Sequence, residues 1–232
     1  MIAGCGEEGC SGSGCGAAGT GGSAGTGGSS GGGGVGGGIT EIELQVDDYI
    51  TGLERPWDIA WLPNETVLVT ERPGQLKVYV DGVGADPTVI PLTDVVSTGG
   101  EGGMLGLEVD PNFNDNGYIY ICMASSAGAG NDVRVVRLTM SRPNAASVED
   151  RLDIVTGMPH NDGSNGRHSG CRLRFGPDDV LWIGTGDAAF GTTPQDDDSL
   201  GGKVLRVNRD GTAADGNSGG RLWYSKGHRN IQ

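Results

Sequence analysis

The sequence predicts an all-β fold, a β-propeller of roughly three to four blades, preceded by a Gly/Ser-rich tether. Three observations carry this. Apolar strands recur in a repeated unit that contains a proline turn. The turn prolines Pro63, Pro111 and Pro177 lie 48 and 66 residues apart, the period of a blade with variable loops. No stretch of helical length shows a 3.6-residue apolar period.

The chain has 232 residues. Residues 1–38 contain 19 of its 46 glycines, and Glu7 and Glu8 are their only charges. Such a segment cannot bury enough apolar surface to offset the entropy of ordering, so it reads as a flexible tether. Ile2-Ala-Gly-Cys5 resembles the box that precedes a lipidated cysteine, and the tether suits a lipid-anchored domain. Cys5 is therefore the candidate lipidation site, although only four residues precede it and the charged and apolar parts of a signal peptide are missing. Cys10 and Cys15 follow at five-residue spacing, which is not a zinc pattern.

From Ile39 the composition changes, and 39–232 is the expected propeller. Residues 41–46 alternate polar and apolar and read as a strand. Three units follow. The first has strands at 57–63, 66–70 and 74–80. The second has strands at 105–111, 118–122 and 132–138. The third has strands at 171–177, 180–184 and 203–207. First strands alternate (Ile59 and Trp61, Leu107 and Val109, Leu173 and Phe175), so one face is buried. Middle strands are almost continuously apolar, as in an inner strand covered on both faces. Cys122 and Cys171 lie in such strands, and buried apolar thiols are preferred to a disulfide between them. A ring needs all its blades, and the last residues, 224–232, carry no terminating element. The chain therefore reads as a fragment of a longer propeller.

The formal charge of −14 argues against nucleic acid, which needs a basic face. It fits an extracytoplasmic protein with a small neutral or cationic substrate. No run of about 20 apolar residues is present to span a membrane as a helix. Gly99–Gly106 is glycine-rich but lacks the Gly-Lys-Ser/Thr of a phosphate loop.

The candidate chemistry lies at 161–187. A loop of small and polar residues delivers His168 to the start of a strand, and the next strand delivers Asp187 nineteen positions later. An antiparallel pair with a tight turn brings the start of one strand beside the end of the next. Asp187 can then orient His168 and raise its basicity as a general base. A lone loop histidine is more often structural, but the small residues around His168 leave room for a ligand. A rival metal site of His160, Asp162 and His168 lacks a carboxylate cluster, and no metal ligand set is assigned. Asp196, Asp197 and Asp198 read as a solvated run, with Ca²⁺ binding as the alternative. Arg229 and Asn230, after Gly227-His228, can present a fixed fork of donors to carboxylates or a carbonyl.

Residues 53–57 (LERPW), 100–106 (GEGGMLG) with 110–113 (DPNF), 168–170 (HSG) with 175–178 (FGPD), 184–187 (GTGD), 202–206 (GKVLR) with Asp210-Gly211, and 227–230 (GHRN) together resemble the soluble PQQ-dependent glucose/sorbosone dehydrogenases. The match runs in order through most of the chain. The resemblance implies a six-bladed propeller that oxidises aldoses at C1 to lactones, with pyrroloquinoline quinone (PQQ) across its top. His168 matches the base that takes the anomeric hydroxyl proton, and Asp187 the carboxylate that holds it. Arg229 and Asn230 match cofactor contacts, with Arg229 stabilising charge on the quinone carbonyl. Glu101 falls where some members place a cofactor-contacting glutamine, and a carboxylate beside an anionic quinone is unfavourable. Arg167 stands where some members have Asp, and Thr192 where some have a cofactor-contacting glutamine. The family's Ca²⁺ ligands follow the GHRN motif, so they are expected beyond Gln232, and this chain alone is expected to be inactive. The alternative is a non-catalytic binding propeller of the same superfamily, of the hedgehog-interacting type. The resemblance leaves the sugar and the electron acceptor open.

Overall fold

In the computed structural model, residues 44–97 and 99–232 are described. They build three four-stranded antiparallel sheets, each a simple meander, and these are the blades of a β-propeller. Sheet 1 contains β1 (Pro56–Trp61), β2 (Val67–Glu71), β3 (Gln75–Tyr79) and β4 (Thr88–Pro91). Sheet 2 contains β5 (Met104–Val109), β6 (Tyr118–Ser125), β7 (Asp132–Met140) and β8 (Val148–Met158). Sheet 3 contains β9 (Gly170–Phe175), β10 (Leu181–Thr185), β11 (Lys203–Val207) and β12 (Trp223–Lys226). One helical turn, α1 (Phe113–Asn116), precedes β6 and buries Phe113. Asp47–Gln232 forms one compact unit.

The nine strands expected from the apolar pattern are present, and each sheet adds a fourth at its outer edge. These outer strands are the ones with the weakest patterns. β4 is mostly exposed, and β8 carries Glu149, Asp150, Arg151 and Asp153 along its length. A strand paired on one side, with a solvated face, needs little apolar character. The strand expected at 41–46 does not form over Leu44–Val46, where the backbone is irregular and Leu44 and Val46 are exposed. Residues 41–43 and the candidate lipidation site Cys5 lie outside the described residues.

The middle strands are buried on both faces, as their composition requires. Successive residues of β6 serve different cores, because side chains alternate across a strand. Ile119, Ile121 and Met123 pack with Leu68, Leu76 and Val78 of sheet 1. Tyr120 and Cys122 turn the other way and pack with Leu173, Leu181, Ile183 and Leu205 of sheet 3. Sheet 2 is thus sandwiched between two apolar cores, with Tyr120 edge-on to Phe175 across the second.

Cys122 and Cys171 are not free thiols. They form a disulfide between β6 and β9, with Cα atoms 5.4 Å apart. The expectation of unpaired thiols is corrected here for a reason of register. β6 points Cys122 toward sheet 3, β9 points Cys171 toward sheet 2, and both are fully buried in the same core.

Candidate active site

The β9–β10 pair builds the site. Thr185 pairs with Gly170, with a register shift after Gly184, so the two chains splay at this end. His168 lies just before β9 and Asp187 just after β10. Their side chains meet, with His168 Nδ1 2.7 Å from Asp187 Oδ1. Both residues are almost fully buried, at 5% and 6% exposure. Asp187 Oδ1 also accepts the Ala189 N–H at 2.7 Å, which fixes the carboxylate from a second direction. An ionised carboxylate only accepts, so the shared proton sits on Nδ1 and the Nε2 lone pair is left open. Nε2 has no hydrogen-bond partner among the described residues.

The backbone at this end is held in an uncommon conformation. His168 has φ +57°, Cys171 +78°, Ala188 +54° and Ala189 +58°. Each left-handed non-glycine residue costs on the order of 1 kcal/mol, so the surroundings must enforce it. They do so by hydrogen bonds. The Ala188 N–H donates to the His168 carbonyl at 3.2 Å, and the His168 N–H donates to Glu101 Oε2 at 2.7 Å. Gly186 lies so close that any Cβ there would collide with the His168 carbonyl oxygen.

Arg229 and Asn230 are joined to the same point. Asn230 bridges to Gly186, and the Asp187 N–H donates to the Arg229 carbonyl at 2.8 Å. Asn230 Oδ1 accepts the Gly170 N–H at 2.9 Å. Its oxygen is therefore committed to the start of β9, while its amide nitrogen is free to donate. The Arg229 side chain is exposed and pairs with no carboxylate among the described residues. A cleft of about 170 Å³ is lined by Trp57, Arg72, Glu101, Leu105, Ser169, Gly170, Asn230 and Gln232; it reaches the dyad's neighbour Ser169, while His168, Asp187 and Arg229 are not in its lining. Arg72 is tied to its wall, donating through Nε and Nη2 to the Gly102 carbonyl. Burial and the neighbouring Arg55 lower the Arg72 pKa.

The structure thus brings His168, Asp187, Glu101, Arg229 and Asn230 to one end of two adjacent sheets. It gives Glu101 a task the sequence reading did not foresee, as acceptor for the backbone of His168. The rival metal set does not assemble. His160 Nε2 is 3.5 Å from Asp162 Oδ1, both His160 nitrogens are fully buried without hydrogen bonds, and burial lowers the His160 pKa. No cluster of three metal-ligating side chains occurs among the described residues. In the acidic run, Asp197 pairs with Lys226 at 2.5 Å, which lowers its pKa, and Asp196 Oδ1 accepts the Asp198 N–H.

Lys203 was missed. It is fully buried, and its ammonium donates to three backbone carbonyls. The signal was available, because Lys203, Leu205 and Val207 alternate along β11 and share its buried face.

The described residues thus form an all-β blade assembly with a buried His–Asp pair at one end, where the Arg229 carbonyl accepts the Asp187 N–H. The family model for glucose/sorbosone dehydrogenase matches residues 53–232, and the chain belongs to that family. It is 31% identical over 188 residues to aldose sugar dehydrogenase YliI of Escherichia coli, covering 78% of this chain and 50% of that protein. It is 27% identical over 213 residues to quinoprotein glucose dehydrogenase B of Acinetobacter calcoaceticus, covering 79% and 44%. The PQQ-bound structure of aldose sugar dehydrogenase from Streptomyces coelicolor superposes with a TM-score of 0.70 at 34% identity, covering 81% of this chain and 55% of that one. The chain spans about half the length of the curated relatives it matches.

Proposed function

We propose that this chain carries the base and part of the cofactor site of a PQQ-dependent aldose dehydrogenase, which oxidises the sugar at C1 to a lactone. The observation that carries the reading is the His168–Asp187 pair, with Nδ1 fixed at 2.7 Å and Nε2 left open. A pure binding propeller has no use for a buried imidazole oriented by a carboxylate whose own backbone is tied to Arg229.

The residues present suit the cofactor. Among the described residues, Arg229 is an exposed cation without a carboxylate partner, and the Asn230 amide nitrogen donates no hydrogen bond. Glu101, the one carboxylate lining the cleft, is partly offset by Arg72 and has one oxygen engaged by the His168 N–H. PQQ, when bound, supplies the two-electron acceptor for the hydride that leaves C1. His168 Nε2 takes the proton of the anomeric hydroxyl as the C1 carbonyl forms. Asp187 stabilises the resulting imidazolium and keeps its Nδ1 proton in place. Arg229 and Asn230 would hold the cofactor, with the guanidinium supplying positive charge to its carbonyl oxygens. The Ca²⁺ of the family, an aldose substrate and a separate electron acceptor belong to the same proposal, as does an extracytoplasmic location with Cys5 as a lipid tether. The buried disulfide supports that location, since such bonds persist in oxidising compartments.

The test is aldose-dependent dye reduction by the full-length gene product supplied with PQQ and Ca²⁺. His168→Asn should lower kcat by about 10²–10⁴-fold, the usual worth of a general base, with PQQ binding retained. Equal rates in the variant and the wild type would reject His168 as the base.

A further inference from the structure

We propose that Lys203 is a positioning residue, whose buried ammonium locks the loop after Asp187 to the turn that carries Arg229 and Asn230. Lys203 starts β11 and is 0% exposed. Nζ donates to the carbonyls of Thr193 at 2.7 Å, Pro194 at 3.2 Å and Gly201 at 2.7 Å. None of these acceptors is a carboxylate. Asp196 and Asp197 act on the ammonium only through space, and burial lowers its pKa. Burying a cation on carbonyls alone is costly compared with packing an apolar side chain of the same size. The position is therefore explained by what the three carbonyls belong to.

Each leads back to the site. Thr193 Oγ1 lies 2.9 Å from the carbonyls of both Asp187 and Phe190, so the residue held by the ammonium in turn reaches the backbone of the dyad carboxylate. The Pro194 carbonyl is shared with the Gly227 N–H at 3.0 Å, the first residue of the Gly227–Asn230 turn. Beside Gly201, the Gly202 N–H donates to the Gly186 carbonyl, and the Gly202 carbonyl accepts the His228 N–H. Lys203's own N–H donates to Thr185 Oγ1, at the end of β10. A single ammonium thus ties together loop 193–201, the backbone at Gly186–Asp187 and the turn bearing Arg229 and Asn230. The triad of carbonyl bonds sets where Asp187 Oδ1 stands relative to His168 Nδ1. Its catalytic consequence rests on the reading of His168 as the base; the geometric claim does not.

The experiment reads the dyad directly and needs no turnover. The His168 Nδ1 proton, shared with Asp187, should give a low-field proton NMR resonance in the 232-residue chain, assigned by its loss in His168→Gln. In Lys203→Met, which keeps the side-chain volume and removes all three donors, that resonance should disappear or move outside its wild-type line width. Lys203→Gln, which keeps two donor hydrogens, should restore part of it. A purely structural lysine would lower the unfolding midpoint and leave the resonance in place, and that result overturns the proposal. If Lys203→Met does not fold, Thr193→Val serves instead, because it leaves the three Lys203 bonds in place and removes the hydroxyl that reaches the Asp187 and Phe190 carbonyls. An unchanged resonance in that variant also overturns it. A responsive resonance in this chain, together with no aldose-dependent dye reduction in the PQQ- and Ca²⁺-supplied assay of the gene product, would reject the proposed function and leave the positioning role standing.

Discussion

At the scale of single residues, the site is built by backbone contacts as much as by side chains. His168 is in a left-handed conformation because Glu101, 67 positions earlier, accepts its N–H, and because Gly186 leaves space for its carbonyl. Glu101→Ala should release that N–H at a cost of about 1 kcal/mol in stability, while Glu101→Gln keeps an acceptor and should lose less than half as much. Amide exchange at His168 is the direct reading. It should quicken in Glu101→Ala and stay near the wild-type rate in Glu101→Gln, whereas a carboxylate that serves only a cofactor would leave it unchanged. The dyad itself was legible in the sequence, because a hairpin must bring the entry of one strand beside the exit of the next. The task of Glu101 was not, since it depends on how sheet 2 stands against the loop before β9. Lys203 lay between these cases. Its alternation with Leu205 and Val207 placed it on the buried face, but its three carbonyl partners belong to a loop whose path no periodicity encodes.

At the scale of elements, the connection between sheets 1 and 2 is pinned by charge. Asp94 follows β4, and its carboxylate receives both Arg151 terminal nitrogens from β8, at 2.7 and 2.9 Å, together with the Ser125 hydroxyl from the end of β6. The Arg151 hydrogen bond, outweighing burial, holds the Asp94 pKa down at about 2. The unfolded chain would titrate near 4, so between these values the unfolded state binds more protons than the folded one. The stabilisation is therefore complete above about pH 4 and is lost as pH falls toward 2. With solvent screening of this partly exposed pair, it amounts to about 1 kcal/mol. Urea unfolding midpoints of wild type and Asp94→Asn, taken from pH 7 down to pH 2, should differ at neutral pH and converge at the acid end. A gap that persists at pH 2 would mean that Asp94 acts through packing and not through its ionised form. Neither this pin nor the fourth strand of each sheet could be read from apolar spacing. β4 and β8 are edge strands whose exposed faces tolerate the charged residues that obscure them, and Arg151 is one of those residues.

At the scale of the whole molecule, sheets 2 and 3 share an apolar core that also contains their covalent link. The blade repeat showed that Cys122 and Cys171 lie in middle and first strands of successive units. It did not show that the two face each other, which requires both the order of the sheets and the face each strand presents. Cys122 and Cys171 are 49 residues apart, and closing a loop of that length restricts the unfolded chain by about 4 kcal/mol in the chain-entropy account. The loop spans β7, β8 and the segment that carries His168, so the bond opposes the opening of sheet 2 from the element that bears the site. For a chain of this size 1 kcal/mol corresponds to about 2–4 °C in Tm, so Cys122→Ala/Cys171→Ala should lower the Tm by on the order of 10 °C. Alkylation in denaturant without reductant should leave both cysteines unlabelled in the wild type and label them after reduction. Labelling before reduction would show free thiols and return the two residues to the role of apolar packing. A bonded pair whose removal moves the Tm by only about 2 °C would instead mean that the shared core, and not the covalent link, holds sheets 2 and 3 together.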